Sequence, residues 1–489
     1  MTNVTVDSRR CGEGKTYDGS PTAIEDKGRI LSTWSNIKTR WQLGDRTLIV
    51  LPSLALCDAY EIEFQRYLNI ECPQGYTNQL AKITSTDYSN VQAKLHEHLN
   101  ARCAIVIITQ AAFLQSQITS NERNDYHLII DEAIMPYREI AVYHELACNV
   151  DFKWYDNSSL LQSPDLAVEW NELRFNDGVR GNFITDAAEQ TRFLFNENWR
   201  CRVHVNDYDK FIGITPKTER ISIIQELLPN LFDNWASIWL ACAAFEYTFM
   251  RHWMDMHNIS WRVHNKLQFN PHDVPMNIMG PDDLKFTWSS YKQNNEPELI
   301  TQFSEQVRAV ADQDCVLVLR NNSQNRQIFN NEQRLPHNSA GSNDYSSYKF
   351  VSLESALNPT PNMTRFLYDV YGIGSNVIGT KLDSVHMAQT VYTFYQTVMR
   401  SCLRKGEAAT VFCLDNRVIM GMSEFFTNMD FAEIRLVRTK ELGDAGRPLS
   451  TSKGNALTSA ERSFIHKKRK YAQYQSMTNE EILAIRSNK

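Results

Sequence analysis

No C-x-x-C pair occurs among the ten cysteines, which are scattered from Cys11 to Cys413. That absence argues against a zinc ribbon and a disulfide framework, and fits thiols kept reduced inside a cell. No apolar run is long enough to cross a bilayer; the most apolar ones, 48–51 and 104–108, have only strand length. Met1-Thr2-Asn3 lacks the basic-then-apolar pattern of a secretory leader. Internal repeats and low-complexity tracts are also missing. The expectation is a soluble, non-secreted protein of the cytoplasm or another reducing intracellular space, with no membrane partner.

At 489 residues the chain exceeds what one core usually serves, so two domains with insertions are expected. Hydrophobic residues make up 42% and charged residues 22%, a globular balance and not a disordered one. The net charge of −6 does not by itself suggest a nucleic-acid partner. Its distribution is uneven, however. Residues 441–489 hold nine Lys/Arg against five Asp/Glu, a surplus of +4 that leaves residues 1–440 at −10. A basic tail on an acidic body suits contact with a phosphate backbone, and equally a solvated surface helix.

What organises the chain is Cys11-Gly12-Glu13-Gly14-Lys15-Thr16, just after the β-branched run Asn3-Val4-Thr5-Val6. Gly12 and Gly14 let the backbone approach an anion and turn its N–H groups inward. Lys15 can reach the β- and γ-phosphates of ATP and Thr16 can hold Mg²⁺, with a helix N-terminus adding its partial charge. Arg9 stands where the full G-x-x-x-x-G-K-[ST] pattern has its first glycine. An ordinary Gly/Lys turn is the alternative for this stretch taken alone.

Downstream come continuous apolar runs that mark buried parallel strands. Thr47-Leu48-Ile49-Val50-Leu51 leads to Pro52-Ser53, Cys103-Ala104-Ile105-Val106-Ile107-Ile108 to Thr109-Gln110, and His127-Leu128-Ile129-Ile130 to Asp131-Glu132-Ala133. Helical patterns at about 22–41 and onward through Tyr67 alternate with them, so βαβ units and a parallel sheet are expected, with ligands at the carboxyl ends of the strands. Residues 150–225 are rich in Asn, Asp and aromatics. They read as an insertion, either a small β-containing subdomain or a long arm, with a hairpin-like pair of residues 202–205 and 210–214. A helix is expected from Thr218 to Leu228, then an apolar strand over 237–244. Residues 252–297 read as a polar linker plus a helix. A second α/β region follows: a helix over 299–312, strands over 314–319 and 349–353, a helix over 385–403 and a strand over 408–414.

Asp131-Glu132 is the second anchor. A carboxylate at the end of a strand beside the phosphate loop can hold hydrated Mg²⁺, and Glu132 can orient and deprotonate an attacking water. A solvated strand end is the bland alternative. Loop and acid pair occur in the right order, each behind its own apolar strand, which reads as a nucleoside triphosphatase.

These residues resemble motifs I, Ia, Ib and II of superfamily 2 helicases of the DEAD/DEAH-like type. The quoted matches are Gly12-x-Gly14-Lys15-Thr16, Pro52-Ser53, Thr109-Gln110 and Ile130-Asp131-Glu132-Ala133. The resemblance implies two RecA-like parallel-sheet domains, and nucleic-acid backbone contacts at Pro52, Ser53, Thr109 and Gln110. Ile134 takes the fourth place of the DEAx box, and no upstream Q motif precedes Val4, both departures from a standard DEAD-box RNA helicase. A third motif would fall at Ala241-Cys242-Ala243-Ala244, followed by Phe245-Glu246, where the usual hydroxyls are missing; a plain core strand is the alternative. The family's motif VI, Q-x-x-G-R-x-x-R, is matched by Gln396 and Arg400, with Met399 for the glycine and the second arginine one place late at Arg404. Four-residue spacing puts the three on one helix face, from which the arginines can stabilise charge on the γ-phosphate. Surface arginines on an exposed face are the alternative. Ser339-Ala340-Gly341-Ser342-Asn343-Asp344 stands either for motif V or for a loop.

The tail carries Lys467, Lys468, Arg469 and Lys470 beside Tyr471 and Tyr474, a combination that can neutralise phosphates and stack on unpaired bases. It reads equally as a solvated face or an address signal. The expected organisation is a first RecA-like domain over 1–255, a second over 256–440 and a basic helical tail over 441–489. The expected activity is ATP- and Mg²⁺-dependent movement on, or unwinding of, nucleic acid, DNA ahead of RNA, with protein partners of a replication or repair complex. Rival readings are a RecA-fold ATPase that remodels a protein or ribonucleoprotein, a nucleic-acid-binding protein with a decayed ATP site, and a phosphate-loop kinase, for which no lid or acceptor site is visible.

Overall fold

The computed structural model describes residues 3–9, 24–26, 29–73, 75, 79–143, 152–155, 170–175, 196–204, 220–263, 265–283, 286–312, 314–321, 331–335, 345–371 and 384–437. The stretch 11–16 expected to bind phosphate, residues 210–214 of the expected hairpin, residues 339–344 and the basic residues 467–470 lie outside them. All but Val437 belong to one compact unit, Met1–Leu436.

In chain order the strands are β1 (Val4–Asp7), β2 (Ile24–Asp26), β3 (Arg29–Leu31), β4 (Arg46–Leu51), β5 (Leu80–Ile83), β6 (Ile105–Thr109), β7 (Tyr126–Asp131), β8 (Tyr137–Tyr143), β9 (Phe152–Tyr155) and β10 (Trp170–Phe175). There follow β11 (Trp199–His204), β12 (Arg220–Leu227), β13 (Ser237–Ala241), β14 (Trp261–Val263), β15 (Met276–Pro281), β16 (Val316–Leu319), β17 (Glu332–Arg334), β18 (Phe350–Leu353), β19 (Ala409–Cys413) and β20 (Met429–Ile434).

The apolar runs form the middle of a seven-stranded sheet ordered β14-β1-β13-β7-β4-β6-β5. Every pairing in it is parallel. Both faces are covered, which is why these strands are apolar throughout instead of alternating. Leu48, Val50, Val106, Ile108, Leu128 and Ile130 point into one core. Ile49, Leu51, Ile105, Ile107 and Ile129 point into the other, against Trp34 and Ile37 of helix Thr33–Gln42 and Tyr60 and Phe64 of helix Leu54–Glu71. The helix expected over 22–41 begins only at Thr33, capped by Ser32 Oγ, because residues 24–31 pair as the β2–β3 hairpin. β14 lies beyond residue 255, the expected boundary, and still pairs with β1.

The second sheet is ordered β17-β16-β18-β19-β15-β20 and is again parallel throughout. The chain is thus α/β with two parallel-sheet, RecA-like halves in tandem, as expected. β15 sits between β19 and β20 inside the stretch read as a linker. Asn277, Gly280 and Pro281 disguise it as loop. At Gly280 a Cβ would lie 2.1 Å from Ile419 Cδ1 of helix Asn416–Met422, so a larger residue there would have to displace the Ile419 side chain.

Between β7 and β13 the chain makes a five-stranded antiparallel sheet, β8-β12-β11-β10-β9. This is the expected β-containing insertion, but it opens before the expected residue 150, because β8 (Tyr137–Tyr143) pairs with β12, and the helix expected over 218–228 is instead β12. Pairing on both sides, with β8 and β11, overrides the local helix-start signal at Thr218. Tyr137, Trp170 and Trp199 of this sheet enter the first core, and so do Phe366, Leu367 and Val370 of helix Pro361–Tyr371. That helix lies between β18 and β19 in the chain, so the second half's own polypeptide is packed onto the insertion. The Trp170 and Phe366 rings meet at 5.3 Å, and Trp170 Nε1 donates to Asp369 Oδ2 at 3.0 Å. Replacing the buried Phe366 with Ala should cost about 3–5 kcal/mol, read as a lowered urea midpoint; a loss below about 1 kcal/mol would show the helix is not anchored there.

Beneath the insertion, buried Glu226 accepts from Arg202 Nε (3.1 Å) and pairs with His257 Nε2 (3.1 Å). Burial pushes its carboxyl up, but the bond to His257 and the charges of Arg202, His257 and Arg200 outweigh that and hold it below the ordinary 4.5. A depressed carboxylate stabilises the fold above its unfolded pKa and loses that contribution as pH falls through the folded value. Urea midpoints of the wild type should therefore fall as the pH drops below 4.5. The same titration in Glu226→Gln should be flatter, and equal slopes would remove Glu226 from this role.

Candidate functional site

Strand register builds the site. Asp7 pairs with Ala241 and Ala241 with Asp131, while Val50 pairs with Ile130 and Leu51 with Thr109. The carboxyl ends of β1, β13, β7, β4 and β6 therefore form one row along one edge of the sheet. Five stretches singled out in the sequence start from this row: the approach to the phosphate loop, Ala241–Ala244, Asp131-Glu132, Pro52-Ser53 and Thr109-Gln110.

Asp131 is 6% exposed and accepts from Tyr60 Oη at 3.4 Å. Glu132 has φ +76°, a left-handed conformation that costs a non-glycine residue about 1–3 kcal/mol and survives only where its surroundings impose it. Its N–H donates to Ala241 O (2.8 Å), and Gln110 Nε2 donates to Glu132 O (3.0 Å) and Asp131 O (3.3 Å). The acid pair is thus held on both sides by neighbouring strand ends. A single buried carboxylate suits Mg²⁺, which takes one or two protein carboxylates and fills its octahedron with phosphate oxygens and water. No cluster of three or more metal-ligating side chains occurs among the described residues.

Arg9, just after β1, is almost wholly buried. Its guanidinium folds back onto Asp7, with Nε 2.9 Å from Oδ1 and a terminal nitrogen 2.6 Å from Oδ2, and both side chains are sealed from solvent. Ser8, between them, accepts from Phe245 N (3.0 Å) and donates to Glu246 Oε2 (2.5 Å). The segment after β13 is thereby tied to the strand that leads into the phosphate loop. Ala244 takes a left-handed turn there (φ +50°). The same segment meets the second half: the Tyr247 ring packs tilted against Phe425, with centroids 4.9 Å apart, and its hydroxyl donates to Glu424 Oε2 at 3.2 Å. Burial, with the Glu424 carboxylate beside it, pushes the Tyr247 phenol up to about 12.

Pro52 ends β4, and Ser53 Oγ caps helix Leu54–Glu71 by accepting from Leu56 N. Thr109 Oγ1 caps helix Gln110–Gln115 in the same way through Ala112 N. The arginine-bearing helix departs from expectation. It runs through a π-turn at Met387–Val391 and ends at Val398, so Gln396, Arg400 and Arg404 do not share one continuous helix face. Ser401 breaks the helix: its hydroxyl takes Val398 O and the N–H of Leu403, in competition with the helical bonds. Arg400 sits 6% exposed in the turn, and Arg404 lies in the short 3₁₀ turn Cys402–Lys405. Gln396 Nε2 donates to Tyr392 Oη (2.9 Å), which lies 3.3 Å from Cys242 Sγ at the end of β13, a bridge between the two halves.

Sequence reading passed over Tyr60, Ser8 and the inward turn of Gln110. Tyr60 stands seven residues after Ser53, on the buried face of its helix, a spacing that could have found it. Nothing local distinguishes the other two.

The two parallel sheets in tandem, with the acid pair at the end of β7, two strands along from β1, give the α/β layout expected from the sequence. No family model matches the chain, and no curated protein matches it in sequence. Among solved structures it is similar to XPD in the apo form, at 10% identity and TM-score 0.47, over 88% of this chain and 97% of that one. It is similar to Xpd4 of S. tokodaii at 12% identity and TM-score 0.43, over 88% and 96%. The DUF1998 helicase MrfA bound to DNA matches at 11% identity and TM-score 0.30, over 89% of this chain and 48% of that one. Among the described residues, no helix is long and apolar enough to cross a membrane.

Removing Arg9 should leave Asp7 charged and buried, and cost about 3–5 kcal/mol for Arg9→Ala. Replacing both, Asp7→Leu with Arg9→Met, should recover most of that loss. Equal urea midpoints for Arg9→Ala and the wild type would show that the pair does not hold this strand end.

Proposed function

We propose that the chain is an ATP-driven nucleic-acid translocase or helicase of the superfamily 2 type. The observation that carries this reading is the aligned row of strand ends, with Asp131-Glu132 locked in a strained conformation at its centre. Strained, over-determined backbone at a ligand-binding edge marks a site that is pre-organised for chemistry. In this reading the ATP-binding domain runs from residue 1 through β14, past the expected boundary at 255, the arginine-bearing domain follows to about residue 440, and 441–489 is a basic tail that helps to hold the track.

Gly12, Gly14 and Lys15 would cradle the phosphates of ATP, and Thr16 and Asp131 would hold Mg²⁺, which neutralises charge on the β- and γ-phosphates. Glu132 would orient the attacking water and accept its proton. Arg400, with Gln396 beside it and Arg404 further along, would answer the charge developing on the γ-phosphate. The track would run over Pro52, Ser53, Thr109 and the backbone of Gln110, whose side chain is turned inward to the acid pair. Contacts there would be mostly to phosphate, so binding would be independent of sequence and would weaken with salt. Cleft closure and opening would then advance the strand.

Steady-state ATP hydrolysis, with and without single-stranded DNA, duplex DNA and RNA, tests this. The wild type should be stimulated by at least one polymer. Glu132→Gln should lower stimulated kcat by about 10²–10⁴, the usual worth of a general base, and Lys15→Ala should abolish it. Turnover indifferent to every polymer would favour an ATPase that remodels a protein or ribonucleoprotein. No turnover at all would indicate a binding protein with a decayed site.

A further inference from the structure

Gln110 occupies an unusual position between two parts of the site. It follows β6 directly, in the turn that the motif resemblance gives to the nucleic-acid strand. Its side chain nevertheless runs inward, past the end of β4, to the end of β7, because the order there is β7-β4-β6. One amide nitrogen bridges the carbonyls of both acids, at 3.3 Å to Asp131 O and 3.0 Å to Glu132 O. Those carbonyls flank the φ +76° turn that aims the Glu132 carboxylate. A –NH₂ group has two protons, one for each carbonyl, so the bridge fully uses its donors. Few other described contacts oppose relaxation of this turn; the principal one is the bond from Glu132 N to Ala241 O.

We propose that Gln110 is a positioning residue that sets the angle of Glu132 and transmits occupancy of the 109–110 turn to it. The proposal rests on the motor reading above. A strand seated on the Thr109-Gln110 backbone fixes the start of helix Gln110–Gln115, and with it the root of the Gln110 side chain. The bridge then holds the acid pair in its strained form. Without a strand, the root is free to shift, and Glu132 spends part of its time turned away from the water. ATP binding itself does not require the bridge, since the phosphate loop lies on a different strand end.

The test uses the full chain and three changes, Gln110→Ala, Gln110→Glu and Glu132→Gln, singly and with Gln110→Ala joined to Glu132→Gln. Measured are ATP KM, basal kcat, kcat at saturating polymer, and affinity for a fluorescent oligonucleotide. Both Gln110 variants should bind the oligonucleotide and ATP within about threefold of wild type, while stimulated kcat falls about tenfold or more, the net worth of two hydrogen bonds. In the Glu132→Gln background Gln110→Ala should add nothing, because it acts through that residue. A loss confined to oligonucleotide affinity, with full kcat at saturation, would make Gln110 a strand contact and overturn the proposal. So would additive losses in the double variant, or wild-type kinetics in both Gln110 variants. Should the wild type hydrolyse ATP and ignore every polymer, the motor reading fails, and with it the transmission of strand occupancy through Gln110. The positioning role is then decided on basal kcat, which the Gln110 variants must still lower about tenfold. A wild type without hydrolysis overturns both.

Discussion

Parallel register is the constraint on which the rest depends. In a parallel sheet every strand enters from the same edge and leaves at the other, so whatever follows the strands is gathered along one line. Here the apolar runs are buried on both faces, and slipping any one of them by a residue would send its side chains into the wrong core. The hydrophobic requirement that holds Leu48, Ile129 and their neighbours in place therefore also aligns Asp7, Ala241, Asp131, Leu51 and Thr109. Packing energy and site geometry have one source.

Around that row, polar contacts convert alignment into connection. Tyr60, on the helix capped by Ser53, reaches Asp131; Gln110 grips both acids from the neighbouring turn; Ser8 ties the strand before the phosphate loop to Glu246. Pro52-Ser53 and Thr109-Gln110, two of the segments expected to touch a nucleic-acid strand, are thus each linked to the acid pair, by Tyr60 and by Gln110. The second half is joined to the same place through Tyr247 with Glu424 and through Gln396, Tyr392 and Cys242. The insertion adds a separate attachment, since helix Pro361–Tyr371 contributes to the first core. Any relative motion of the two halves must either carry that helix with the insertion or break a buried aromatic contact.

Much of this was legible beforehand. Continuous apolar runs announced buried parallel strands because only two-sided burial requires them, and the acid pair closes one of those runs, as expected. The antiparallel insertion was legible from its change in composition. The failures share a cause as well. β12 was read as a helix and β15 as a linker because their local signals are weak or contrary, and only pairing with neighbours distant in sequence makes them strands. The helix bearing Gln396 ends before Arg400 because Ser401 competes for backbone groups, a contest that periodicity does not register.

The residue order by itself determined which strands are buried, the α/β class, the place of the insertion and the identity of the acid pair, since each follows from local pattern and burial. Tertiary structure alone decided that Arg9 turns back onto Asp7, that Gln110 points inward to the carbonyls of Asp131 and Glu132, and that Glu132 adopts φ +76°. Those outcomes depend on which strand ends become neighbours. Neighbourhood across a sheet is set by long-range pairing, to which no local window of sequence has access.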